Sequence, residues 1–318
     1  MRTASSYRYF DEEAIMKTIH DIRGICPLTA VPFDAEGNVD YRQFDHLLDC
    51  LMASGVNGVG LFGVVGEFAK LDDIEKTKLA EHMTAKLKDT PLFSLISVTD
   101  HATEIAVKRA KQFEAMGADC LMVLPPHFMN PTTDQIRYHL LSVARAVKIP
   151  VMIQYAPNET GVSISPEELV AIARENDNVL YKIECTDPAS YSRNLLAMKP
   201  DLSIMNGYWG INLLDLLAIG GKGVMPGFSC CELYVELYER YRSGDVEGAK
   251  ALHGRLVPYF VRWNTSIERV IAIEKEILRR RNMIETAYCR HPGYELKAEE
   301  LAEVDCFLEE FNKFLPKF

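Results

Sequence analysis

Val179-Leu180-Tyr181-Lys182-Ile183-Glu184-Cys185 reads as a short buried strand that carries a single amine in an apolar, β-branched run. Burying an ammonium costs several kcal/mol unless it is paired, so an interior lysine tends toward the neutral, nucleophilic amine. Such an amine can attack a ketone. A second reading makes Lys182 half of a structural ion pair with Glu184, which lies two residues on and so on the same strand face. The heptapeptide leaves both readings open, and the surrounding chain has to weigh between them.

The same motif recurs on either side of this run. Short apolar runs stand at 25–29, 58–62, 92–98, 120–124, 151–155, 179–183, 202–206 and 223–225. Helical patterns alternate with them at 41–53, 72–87, 103–116, 133–147, 166–175, 188–198, 211–219 and 230–242. Asp40, Thr103 and the Ser165-Pro166-Glu167-Glu168 opening supply helix-start signals. Eight βα units whose strands are apolar on both faces imply an α/β protein with a parallel sheet and helices outside. Closure into a (β/α)8 TIM barrel is favoured over a doubly wound open sheet, because the units are evenly spaced and no Gly-x-Gly-x-x-Gly follows the first strand. The predicted layout is an N-terminal helical extension over 1–23, with its helix at 12–22, then the barrel over 24–245. A C-terminal helical appendix covers 246–318, with helices at 246–263, 266–280 and 298–314. No Gly, Ser or Pro linker separates these parts.

The formal charge of -10 over 318 residues argues against nucleic acid or an anionic membrane surface as partner and favours a small molecule. The eight cysteines are scattered, with no Cys-x-x-Cys or Cys/His cluster of metal spacing, and read as reduced cytoplasmic thiols. No metal is expected. The first residues lack the apolar core of a secretory signal and carry Asp11, Glu12 and Glu13. No run approaches the ~20 apolar residues that span a bilayer.

Barrel chemistry sits at the C-terminal ends of the strands. That rule selects Gly63-Val64-Val65-Gly66-Glu67, Pro125-Pro126-His127-Phe128, Gln154-Tyr155-Ala156-Pro157, Lys182, Asn206-Gly207-Tyr208-Trp209 and Met225-Pro226-Gly227. The Gly220-Gly221-Lys222-Gly223 run precedes the eighth strand, so a phosphate site there would lie on the opposite face.

The order Gly24, Pro32-Phe33, Asp40, Gly55-Val56-x-Gly58, Gly63-x-x-Gly66-Glu67, Pro157, Thr160-Gly161, Lys182, Gly207 and Gly223 resembles the dihydrodipicolinate synthase and N-acetylneuraminate lyase family. The resemblance runs from about Gly24 to the C-terminus. It implies a class I aldolase barrel, usually a homotetramer, in which the strand-six lysine forms a Schiff base with a 2-oxo acid. Lys182 is the matching residue, and the covalent imine takes the place of any cofactor. A protonated imine at C2 draws electrons and stabilises charge at C3 during C–C cleavage, condensation or loss of water. Gly63, Val64, Val65 and Gly66 can offer backbone N–H groups to the substrate carboxylate. The same loop also reads as a tight strand-to-helix turn that needs glycine.

This chain departs from the family pattern at informative places. Best-known members carry hydroxyls at the two central positions of the Gly-x-x-Gly-Glu loop, where this chain has Val64 and Val65. Aligning on Pro157 and Gly161 puts Gln154, which does not titrate near neutral pH, at the position of the strand-five tyrosine. Tyr155 is one residue away and on a regular strand faces away from Lys182. Glu159 occupies the place of the diacid-binding arginine and should repel a second carboxylate. His127 stands near the site of a relay tyrosine donated by a neighbouring subunit, and is either a replacement acid or base or an ordinary loop histidine. Glu184 can hold the lysine's charge or move the C3 proton. Gly207 and Tyr208 can line the pocket, and Trp209 is either a pocket wall or rim packing.

The expected activity is therefore a Schiff-base lyase, aldolase or dehydratase, acting on a 2-oxo acid of the 2-keto-3-deoxy sugar acid type through Lys182. Catalytic candidates are Lys182, Gln154, Tyr155, His127 and Glu184. The alternatives are a 4-hydroxy-tetrahydrodipicolinate synthase-like condensation of pyruvate with an aldehyde, and a catalytically impaired barrel that only binds a 2-oxo acid. A metal-dependent barrel aldolase is disfavoured, since no His-x-His or His-x-x-x-His pair stands near a strand end.

Overall fold

The computed structural model describes residues 16–318. Eight strands, β1 (Gly24–Ile25), β2 (Gly58–Leu61), β3 (Phe93–Ser97), β4 (Cys120–Val123), β5 (Val151–Tyr155), β6 (Val179–Ile183), β7 (Ile204–Asn206) and β8 (Gly223–Val224), form one sheet. All its neighbours are parallel, in the order β1-β8-β7-β6-β5-β4-β3-β2. The two ends of that order meet where Leu28 bridges Gly60, with Gly60 N–H donating to Pro27 O at 2.8 Å and Thr29 N–H to Gly60 O at 2.7 Å. The sheet is a barrel. The first strand is shorter than the 25–29 run predicted, because Pro27 has no N–H to give the ladder.

The helices are α1 (Tyr41–Ala53), α2 (Asp73–Leu87), α3 (Thr103–Ala115), α4 (Thr133–Arg145), α5 (Pro157–Thr160), α6 (Pro166–Glu175), α7 (Pro188–Met198), α8 (Leu213–Ala218), α9 (Cys231–Ser243), α10 (Val246–Trp263), α11 (Ile267–Arg280) and α12 (Ala298–Glu310). Asp40 and Ser165 cap α1 and α6 by accepting the N–H groups of Gln43 and Glu168. Thr103 does not cap α3; Ala102 takes the cap position and the Thr103 hydroxyl meets His139 Nδ1 at 3.0 Å instead. The helix predicted at 12–22 lies partly outside the described residues. Its described part is a turn, closed by the Asp21 carboxylate on the Thr18 N–H and hydroxyl, both at 2.8 Å.

Strand alternation sorts side chains into two cores. Cys26, Leu28, Phe93, Leu95, Cys120, Met122, Met152, Leu180, Met205 and Met225 pack together inside the barrel. Their strand neighbours, such as Leu121, Ile153, Tyr181 and Ile204, pack outward against the helices. Gly60 keeps the interior open, since a Cβ there would stand 2.7 Å from Leu28. Gln154 and Lys182 follow Met152 and Leu180 by two residues and pair across β5 and β6. Period two therefore sets both on the inner face, above this soft, polarisable plug.

The C-terminal helices are tied to the barrel at two places. Trp209, at the end of β7, packs on Phe260 and Trp263 with ring centroids 4.6 and 5.8 Å apart, and Trp263 packs on Phe307 of α12 at 5.1 Å. Lys275 of α11 is fully buried and bonded to the buried Glu67 carboxylate and to Tyr288 O. Glu67 also takes Lys70 Nζ at 3.1 Å and the Arg290 N–H at 3.0 Å. Lys275→Met leaves that buried carboxylate short of a cation and is expected to lower the unfolding free energy by about 3 kcal/mol in urea titration. Adding Glu67→Gln to the same chain is expected to recover part of the loss.

Candidate active site

Lys182 and Glu184 leave the end of β6 on the same side, and their Nζ and Oε1 lie 3.0 Å apart in a buried pair. Glu184 is the hub of the site. Its Oε2 accepts from Gln154 Nε2 at 2.5 Å, and its Oε1 accepts from the Tyr208 N–H at 3.0 Å. Gly207 is required beside it, because a Cβ there would lie 1.9 Å from Glu184 Oε1. Three donors from three strand ends thus compensate a carboxylate that burial would otherwise penalise.

The β2 end forms a 3₁₀ turn, Val64–Gly66, with Gly66 N–H donating to Gly63 O at 3.0 Å. Gly63 offers no capping side chain. The N–H groups of Val64 and Val65 at its first turn therefore have no partner among the described residues. Gly63 and Gly66 seat this turn against the β1 end, where a Cβ would stand 2.5 Å from Leu28 and 2.8 Å from Thr29 O respectively. The turn and anion readings of this loop are thus compatible.

A narrow cleft opens over Lys182. Val64, Val65, Gln154, Glu184 and Tyr208 line it, together with Glu159 and residues from the β1 and β8 ends. Asn264, Ile267 and Val270 of the C-terminal region form its far wall. Sequence reasoning missed that wall, since nothing in a strand-end rule points to helices outside the barrel. Glu159, singled out in the sequence at the place of the diacid-binding arginine, does stand on this cleft. Trp209 contributes to the cleft but is buried among aromatic rings, so packing is its main role.

Two catalytic candidates are not brought to the amine. Tyr155 faces the helical layer and stacks on Tyr191 at 4.6 Å, as strand period two requires. His127 lies on the loop after β4, its Nδ1 3.2 Å from Pro125 O and its ring edge-on to His101 at 4.5 Å. Left-handed φ angles at Met129 and Asn130 turn this loop outward, leaving Phe128 and Met129 exposed. His127 does not line the Lys182 cleft of its own chain.

Residues 21–311 match the dihydrodipicolinate synthetase family, so the chain belongs to that family. It is an aldolase-type lyase by membership. A protein of Escherichia coli K12 named "Probable 2-dehydro-3-deoxy-D-pentonate aldolase YjhH" is 28% identical over 240 residues, which cover 74% of this chain and 79% of that one. The 4-hydroxy-tetrahydrodipicolinate synthase 2 of Halalkalibacterium halodurans is 30% identical over 239 residues, covering 73% and 80%. The crystal structure of dihydrodipicolinate synthase from Rhodopseudomonas palustris shares the fold, with a TM-score of 0.84 at 23% identity over 92% of this chain and 98% of that one.

One more carboxyl lies behind the cleft. Glu274 of α11 is fully buried, accepts the Ser229 N–H at 2.9 Å, and leaves Oε1 without a partner against Gly227. Burial pushes its pKa up from 4.5 to about 7, partly opposed by its bonds to Ser229. Between those values the folded chain keeps a proton that the unfolded chain releases, so stability falls as pH rises from 4.5 and levels off above about 7. Glu274→Gln is expected to be more stable than the parent at about pH 8, by on the order of 3 kcal/mol. The two should converge in acid, as denaturant titrations across pH will read.

Proposed function

We propose that the chain is a Schiff-base lyase that cleaves or dehydrates a 2-oxo acid of the 2-keto-3-deoxy sugar acid type. The observation that carries this is the buried Lys182–Glu184 contact at 3.0 Å, at the floor of a cleft with unpaired N–H groups on one wall. The substrate carboxylate docks on the Val64 and Val65 N–H groups, which bring C2 to Lys182. Glu184 accepts the ammonium proton and so frees the amine for attack. The ion-pair and nucleophile readings of Lys182 are two stages of one cycle. Glu184 returns the ammonium proton to the carbinolamine hydroxyl, which leaves as water to give the iminium, and the carboxylate so restored takes a proton from C3 to form the enamine. Departure of the C4 hydroxyl as water, with the proton Glu184 took from C3, completes a dehydration, whereas removal of the C4 hydroxyl proton from the iminium breaks C3–C4, releasing an aldehyde and leaving the enamine of pyruvate on Lys182.

Gln154 has no proton to exchange here and holds Glu184 in place. The iminium supplies the electron sink, so the cycle needs no metal and no separate cofactor. The family's usual homotetramer and a cytoplasmic setting complete the reading. Among the described residues no helix is long and apolar enough to cross a membrane.

Borohydride with pyruvate should leave a reduced adduct on Lys182, read by intact mass and peptide mapping, and Lys182→Ala should abolish both the adduct and turnover. A turnover-competent Lys182→Ala chain would end the proposal. Glu184→Gln is expected to lower kcat by about 10²- to 10⁴-fold. Exchange of the C3 protons of pyruvate into deuterium oxide should slow in parallel.

A further inference from the structure

Two buried ionisable side chains meet at the backbone of Ser229. Its N–H donates to Glu274 Oε2 at 2.9 Å, and its carbonyl oxygen accepts from Arg281 Nη1 at 2.5 Å. Ser229, Glu274 and Arg281 are each no more than 1% exposed. Two residues earlier, Gly227 packs against the same carboxyl, since a Cβ there would lie 1.9 Å from Glu274 Oε1. Met225, Pro226 and Gly227 line the Lys182 cleft. One residue just behind the β8 rim is thus gripped through both of its backbone polar groups.

Arg281 follows α11 and ties a remote segment into this grip. Its Nε donates to Pro316 O at 3.1 Å, its Nη1 also reaches Glu232 Oε2 at 3.1 Å, and its Nη2 bonds Glu232 Oε1. The Phe318 ring lies 5.6 Å from the guanidinium carbon, and the Phe318 N–H donates to Arg281 O at 2.9 Å. Glu232, in the first turn of α9, also accepts the Ser54 hydroxyl at 2.9 Å. A planar guanidinium can serve Ser229, Glu232 and Pro316 at once, which an ammonium of the same charge cannot.

Buried charges are poor sources of stability, and apolar side chains of similar volume often serve better. What they supply at Ser229 is direction, because hydrogen bonds fix a backbone in a way that apolar packing does not. Lys182 and Glu184 are held by partners from β5 and β7 instead. The grip therefore bears on how the cleft seats its ligand and leaves proton transfer at the amine alone. Resting on the Schiff-base reading, we propose that Glu274 and Arg281 are positioning residues for the reaction, which set the β8 rim of the cleft by fixing Ser229. The segment from Pro316 to Phe318 takes part through Arg281. None of these side chains touches the substrate.

The test is borohydride trapping on Lys182 in the full chain across a range of pyruvate concentrations. Deuterium exchange at C3 under saturating pyruvate and thermal unfolding of each variant accompany it. Glu274→Leu removes the acceptor of the Ser229 N–H and should raise half-saturating pyruvate about tenfold, while exchange at saturation stays within about threefold of the parent. Glu274→Gln keeps an acceptor there and should recover most of the loss. Arg281→Lys keeps the charge without the fork and should shift half-saturation in the same direction as Glu274→Leu. Where either variant does not fold, Phe318→Ala, which strips the ring from the guanidinium, carries the comparison with an expected shift of about threefold. Folded variants that all stay within about twofold of the parent would overturn the assignment. So would equal losses in Glu274→Leu and Glu274→Gln, which would tie the effect to the acid itself and not to the bond at Ser229. An adduct on the parent with unmoved variants sinks the positioning role alone, whereas no adduct on the parent sinks the Schiff-base reading and this role with it.

Discussion

The Glu184 carboxylate is the constraint around which the cleft is built. It receives Lys182, Gln154 and the Tyr208 N–H, from the ends of β6, β5 and β7. A buried ion pair is poor value as a source of stability, since desolvating both charges offsets their attraction. Its persistence at the mouth of a barrel is understandable when the pair also moves a proton. The same carboxylate explains why an amide suffices at Gln154, where the family's relay uses a titrating hydroxyl. With an acid already 3.0 Å from the lysine, the strand-five residue has only to orient it.

Helix α11 extends this logic beyond the barrel. Adjacent residues Glu274 and Lys275 are both buried, one against the β8 end through Ser229 and Gly227, the other on Glu67 after β2. Ile267 and Val270 of the same helix face the cleft. Lys70, beside Glu67, also reaches back to Glu268 at 2.6 Å. One helix therefore supplies a wall of the cleft and clamps two of the loops that form its rim. The C-terminal helices are part of the site.

Much of this was legible in the sequence because strand and helix periods are local signals. The bounds of β5, β6, α1, α6, α7 and α10 coincide with the apolar runs and helical patterns. Period two also places Gln154 inward and Tyr155 outward. What could not be read depends on backbone geometry or on partners remote in sequence. The left-handed pair Tyr208 and Trp209 carries no composition signal, as asparagine or glycine would. Glu159 and Tyr208 meet only because β5 and β7 flank β6. A Glu-Lys pair within an amphipathic helix reads as solvent-facing, so the burial of Glu274 and Lys275 was hidden. His127 was chosen for its nearness to a relay residue donated by a neighbouring subunit, and in its own chain the loop that carries it turns outward at Met129 and Asn130.

The Glu67–Lys275 contact joins residues 208 positions apart. On the ribosome the carboxylate thus emerges long before its buried ammonium partner, with only Lys70 near it in sequence to hold the charge. Barrel assembly cannot be finished domain-first and then decorated. The final quarter of the polypeptide is a keystone delivered last, and until it arrives a barrel with all eight strands lacks the helix that clamps its rim.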